Sequence, residues 1–249
     1  MGDLEKEATL EQEKNDFEIK IKDSREIKNP DFPSDLSERI MTDHVHEALI
    51  EAYRFFGKYA AEKPQDLTII LVDGVFGEGT IKGTSIELQI PPIEELLSNT
   101  RTSLEPMLKG TSEEEKEDLT KQLILAVAAS TTLHEGTHSL LNSKPGSKLA
   151  TEIEELSGIE NIEGKISTLL DEGITYAIQE IYAPKIKPIG SIAPRINEND
   201  REAVKIRKEL GHRLRPIVEN YLNFGKSMDR DFIATASQEL KEVLINSQI

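Results

Sequence analysis

The chain has 249 residues, 37% of them hydrophobic, enough to bury one substantial core or one core with a small subdomain. Its formal charge of −16 at pH 7 repels phosphate backbones and anionic membranes, so neither nucleic acid nor a lipid surface is an expected partner. With no cysteine, disulfides and thiolate metal sites are excluded, and the chain is indifferent to redox compartment.

Residues 1 to 16 mix Glu, Lys and Asp without apolar periodicity and read as a flexible acidic segment. They lack the basic stretch and apolar run of a signal peptide, and the longest strongly apolar run, LILAVAA at 123 to 129, is far too short to span a bilayer. A cytoplasmic location is therefore expected. Residues 17 to 110 form a first part of the domain, built of strands and a helix. FEIKIK at 17 to 22 alternates like a half-buried strand, and NPDFP breaks it. Ser34 is placed to cap a helix to about Ala61, with Ile40, Met41, Val45, Ala48, Leu49, Ala52 and Phe56 at helical spacing. LTIILVD at 67 to 73 is β-branched and continuous, as in an interior strand. The glycine-rich GVFGEGTIKG then leads to TSIELQI at 84 to 90, a strand, loop, strand unit. No Gly-Lys-Ser/Thr follows those glycines, so a flexible hairpin is expected there rather than a phosphate cradle.

A short helical segment follows Pro92. Residues 111 to 249 then form a helical second part. Ser112 and Glu115 make a capping box for a long helix to about Asn142, whose middle at 123 to 129 is apolar on every face and must be surrounded by protein. KLATEIEELS, GKISTLLDEGITYAIQEIYA, NDREAVKIRKELGHRLRPIVENYLNF and DRDFIATASQELKEVLINS are helical in turn.

On the long helix, TTLHEGTHSLL spans 131 to 141. Residues four apart lie one turn above each other, so His134 and His138 can face one metal ion. Glu135 lies about 100° round the helix from His134, placed to hold a water rather than the metal. A catalytic zinc needs a third protein ligand and an open position. Glu172, in LLDEGITYAIQ on a later helix, is the best candidate, and Gly173 beside it removes a side chain where two helices must approach. Glu152, Glu154, Glu155 and Glu160 remain rivals, Glu160 foremost. Asp171 is a candidate to hold a ligand histidine in the required tautomer. His44 and His46, two apart, diverge on a helix and cannot easily share a metal.

In His134, Glu135 and His138 followed by Glu172 and Gly173, the sequence resembles the gluzincin branch of zinc metallopeptidases. The resemblance implies an α+β, mostly helical zincin-like domain with a small mixed β-sheet and a long buried active-site helix. It implies Zn2+ held by His134, His138 and Glu172, with Glu135 as general base toward a peptide or protein substrate. The strand at 84 to 90 is the candidate sheet edge for an extended substrate. Tyr176 stands four residues after Glu172, where the thermolysin-like pattern has an aspartate supporting a histidine ligand, so no particular family within the branch is implied. A second donor for the oxyanion is sought among Tyr221, His212, Tyr176 and Tyr182, with Tyr221 and His212 favoured. The competing expectation is a non-catalytic helical interaction or immunity-type protein that keeps the fold and a structural metal.

Overall fold

The structure, a computed structural model, describes residues 18–26, 31–61, 66–74, 79–82, 85–90, 98, 110–158, 164–184, 186 and 201–247. The acidic segment 1–16, the short helix expected after Pro92 and the rival ligand Glu160 lie outside them. The fold is α+β and mostly helical, with seven α-helices and one mixed four-stranded sheet among the described residues. No described helix is long and apolar enough to cross a membrane. The chain divides into two compact units, one of residues 1–50, 64–136 and 183–192, the other of residues 51–63, 137–182 and 193–249.

The first unit holds the sheet. Its strands are β1 (Glu18–Asp23), β2 (Asp66–Val72), β3 (Gly79–Lys82) and β4 (Ser85–Gln89), in the order β1-β2-β4-β3. β1 and β4 both run parallel to β2, with Ile21 opposite Ile69 and Ile69 opposite Ile86. Alternation sends Leu67, Ile69, Leu71, Ile86 and Leu88 into the core, all fully buried or nearly so. Each such side chain contributes about 1.5–3 kcal/mol of hydrophobic stabilisation.

The expected strand, loop, strand unit is corrected here. β2 and β4 are parallel neighbours, so no tight turn joins them, and the hairpin is β3–β4, antiparallel with Gly79 opposite Leu88. β3 comes from inside the glycine-rich stretch, whose four glycines in ten residues hid its strand character. The candidate edge is corrected with it: β4 is flanked on both sides, and β3 forms that end of the sheet.

The single helix expected from Ser34 to Ala61 is two, α1 (Phe32–Thr42) and α2 (Val45–Phe56), followed by a 3-10 turn at Gly57–Tyr59. The break is His44, at φ +58°, a backbone conformation that a helix cannot contain. Its imidazole Nδ1 pairs with Glu47 Oε2 at 2.7 Å, and Arg39 Nε donates to Asp43 just before it. These local polar pairs secure a bend to which the apolar spacing is blind. α1 also starts two residues before Ser34, with Pro33 in its first turn and no side-chain cap.

The long helix, α3 (Glu113–Leu140), carries the capping box as expected: Glu115 N–H donates to Ser112 Oγ at 3.3 Å and Ser112 N–H to Glu115 Oε2 at 2.8 Å. The Ser112 bonds hold the Glu115 carboxyl below the usual carboxylate range. None of residues 123 to 129 is exposed. Within the first unit Gly136 explains the small residue in the motif, since a Cβ there would come within 2.8 Å of Leu49 Cδ2 on α2. The helix therefore passes α2 closely one residue after Glu135.

The second unit is helical: α4 (Lys148–Ser157), α5 (Lys165–Tyr182), α6 (Glu202–Asn223) and α7 (Arg230–Asn246), with the last turn of α3 and the end of α2. Ser147 caps α4 and Asp229 caps α7, each through a side-chain oxygen accepting a backbone N–H. α3 ends where Ala61 N–H donates to Leu140 O at 2.8 Å and Asn142 N–H to Tyr59 O at 3.0 Å. α5 and α6 pack against one another through two glycines. A Cβ at Gly173 would lie 2.5 Å from Leu210 Cγ, and one at Gly211 would lie 2.4 Å from Tyr176 Cβ.

Candidate metal centre

α3 projects His134 and His138 from successive turns, and α5 supplies Glu172. One ligand atom from each, two imidazole nitrogens and a carboxylate oxygen, lie within 4.8 Å of one another, so the group can hold a metal ion. It is the one such group among the described residues. Glu152 instead accepts from Tyr59 Oη at 2.5 Å and lies 3.6 Å from Lys58 Nζ, while Glu155 pairs with Arg230 at 3.3 Å. His44 pairs with Glu47, and His46 is buried on α2.

The two nitrogens of His138 have different surroundings. Nδ1 lies 2.7 Å from Asp171 Oδ1, and Nε2 lies 3.7 Å from Glu172 Oε2. Asp171 is itself held, accepting from Ser143 Oγ on Oδ2 at 2.6 Å and from Thr175 Oγ1 on Oδ1 at 3.4 Å. The buried carboxylate fixes the ring so that Nε2 faces Glu172, an arrangement of carboxylate and histidine suited to a metal ligand. Asp171→Asn, which keeps the shape and removes the charge, is expected to weaken zinc binding about 10- to 100-fold, as read by competition with a chromogenic chelator.

Without a metal, His138 is strongly basic. Burial lowers its pKa, but the charge of Asp171 and its hydrogen bond, with Glu172 behind them, prevail and push it from 6.5 up to about 10. The imidazolium is therefore stabilised in the folded chain. Its contribution to the stability of the metal-free fold is present in full below about pH 6.5 and is lost as the pH rises through about 10. A metal must displace that proton. Between pH 7 and 9 the apparent metal affinity is accordingly expected to rise by about tenfold per pH unit, with one proton released per metal bound. Calorimetric titration in two buffers of different ionisation enthalpy counts that proton, and a pH-independent affinity would contradict the assignment.

Glu135 stands outside the ligand group. Its neighbour is β3: a Cβ on Gly79 would lie 2.6 Å from Glu135 Cγ and 3.1 Å from Oε1. The end strand of the sheet therefore runs directly against this carboxylate, and only glycine fits there without moving it.

Tyr221 and His212 are not brought to the group. Tyr221 Oη donates to Asp229 Oδ1 at 3.0 Å, and its ring packs edge-on against Phe55 and Phe232. His212 Nδ1 lies 3.5 Å from Glu180 Oε2, and Glu180 stands eight residues past Glu172, about 12 Å along α5. The residue of α6 that does reach the ligands is Arg207, whose Nη1 donates to Glu172 Oε1 at 2.8 Å. Tyr221 is fourteen residues beyond Arg207, about 21 Å along that helix. Tyr182 is committed to Glu51, its hydroxyl donating to Oε2. Tyr176, half-buried one turn after Glu172, packs its Cβ against Gly211.

Arg207, Ser143 and Thr175 were missed in the sequence. Thr175, four residues after Asp171, had a readable helical spacing. Arg207 and Ser143 had none, because their neighbours are set by the packing of separate elements.

Comparison of the chain with family models, with curated proteins and with solved structures gives no match in any of the three.

Proposed function

We propose that the protein is a single-zinc metallopeptidase of gluzincin type. The observation that carries this is the convergence of His134, His138 and Glu172 on one point, with Glu135 next in the helix but outside the ligand group. Two imidazoles and one carboxylate are a donor set suited to zinc, and three protein ligands leave one position of a tetrahedron for water. Bound there, zinc would supply Lewis acidity, lowering the pKa of its water toward neutrality and polarising a substrate carbonyl.

The chain's own residues perform the rest. Asp171 orients His138 and takes up the positive charge that its ring shares. Glu135 accepts the proton of the attacking water and returns it to the leaving amine. β3, as the end strand beside Glu135, offers its backbone to an extended peptide, which can add to the sheet by main-chain hydrogen bonds. Gly79 keeps that approach open.

The test is hydrolysis of a quenched fluorescent peptide library by the full chain, before and after removal of metal with a chelator. Activity that disappears with the metal and returns with stoichiometric zinc is expected. A fully zinc-loaded protein that cleaves no member of the library would instead support the non-catalytic interaction protein.

A further inference from the structure

Resting on the zinc assignment above, we infer that Arg207 is a positioning residue of the metal centre, restricting Glu172 to ligation through one oxygen. The two oxygens of this carboxylate are differently engaged. Oε1 accepts from Arg207 Nη1 at 2.8 Å, and Oε2 faces His138 Nε2 at 3.7 Å. A zinc-bound carboxylate can ligate through one oxygen or through both, and the second oxygen would raise the coordination number from four to five and crowd the position that a catalytic site keeps for water. Oε1 is held by a guanidinium, and Oε2 is the oxygen that faces the ligand histidine.

The reach of Arg207 is built into the helix pair. Gly173 follows Glu172 directly and packs on Leu210, while Gly211 lies one turn after Arg207 and packs on Tyr176. A side chain larger than hydrogen at either position would collide with the facing helix, and separating α5 from α6 would draw Arg207 away from Glu172. The two glycines flank the contact on both helices, so their packing and the ion pair are one device.

A purely stabilising role accounts poorly for the arrangement. The Arg207 side chain is 36% exposed, yet its Nε is buried and has no hydrogen-bond partner among the described residues. An exposed ion pair would satisfy the same charges without burying a donor. The guanidinium also draws charge from the ligand carboxylate, which leaves a bound metal more electrophilic.

Cobalt(II) tests this on the full chain, because its visible absorption reports coordination number independently of turnover. Wild type is expected to give the intense band of a four-coordinate site. Arg207→Met frees Oε1 to ligate, so the band should weaken and move to shorter wavelength, with cobalt affinity reduced about 10- to 100-fold. Arg207→Lys, which keeps the charge on a shorter stem without the planar fork, should fall between the two. The melting temperatures of the metal-free variants establish that each is folded. If Arg207→Met does not fold, Arg207→Lys carries the comparison, with a smaller shift in the same direction. A variant spectrum identical to wild type would overturn the role of Arg207 and leave the zinc site standing, whereas a wild type that binds no cobalt would overturn both.

Discussion

Replacing Glu135 with glutamine is expected to leave zinc content at the wild-type level and to lower peptide hydrolysis by about 10²- to 10⁴-fold. The split follows from placement. Glu135 is no member of the three-ligand group, so its charge is not needed to hold the metal. The task proposed for it is a proton transfer that a carboxamide cannot perform. Glutamine also keeps the shape that lies against Gly79, where an added Cβ would come within 2.6 Å of Glu135 Cγ, so the strand beside it is undisturbed. Measuring kcat, KM and bound zinc on one preparation separates the outcomes. Unchanged kcat would remove Glu135 from the chemistry, while loss of zinc would make it a ligand.

Alanine at His134 or at His138 is expected to affect the metal itself. Structural zinc sites bind with apparent free energies of about 10–16 kcal/mol over four ligands, or roughly 3 kcal/mol each, so losing one imidazole weakens binding by about 10²- to 10³-fold. The two variants should differ in the metal-free state. His138 carries the ion pairs with Asp171 and Glu172, and His138→Ala leaves both carboxylates without that partner. At neutral pH it should therefore lower the melting temperature of the metal-free protein more than His134→Ala does. Zinc affinity by competition and thermal melts with chelator present read the two effects separately. Equal melting temperatures would contradict the importance of the Asp171–His138 pair.

The grouping of His134, His138 and Glu172 was legible because both signals are local or nearly so. His134 and His138 are four apart on a helix announced by its capping box, and Asp-Glu-Gly marks a second helix where a close approach is needed. The helical half was readable for the same reason, since apolar periodicity is a sequence-local feature. The errors lie where non-local pairing decides. Nothing in TSIELQI states whether it pairs with the strand before the glycines or with one hidden among them, so β4 read as an edge although it is flanked on both sides. The bend at His44 depends on one residue adopting positive φ within an uninterrupted apolar pattern. For the tyrosine on α6 the difficulty was axial position, and for the histidine beside Gly211 it was direction, since its exposed ring faces Glu180. α6 runs for 22 residues, and only its first half reaches the level of Glu172. Arg207 was invisible for the same reason: its partner is 35 residues away and is fixed by how two glycines let two helices touch.

If His134, His138 and Glu172 form one zinc site, metal per chain by elemental analysis reads it directly. Wild type and Glu172→Ala are to be purified side by side without chelator, with X-ray absorption at the zinc edge on the loaded wild type. Near one zinc per wild-type chain, sharply less in the variant, and an inner shell holding two imidazole nitrogens at about 2.0–2.1 Å are the expected results. No zinc in the wild type, or equal zinc in both proteins, would contradict the site.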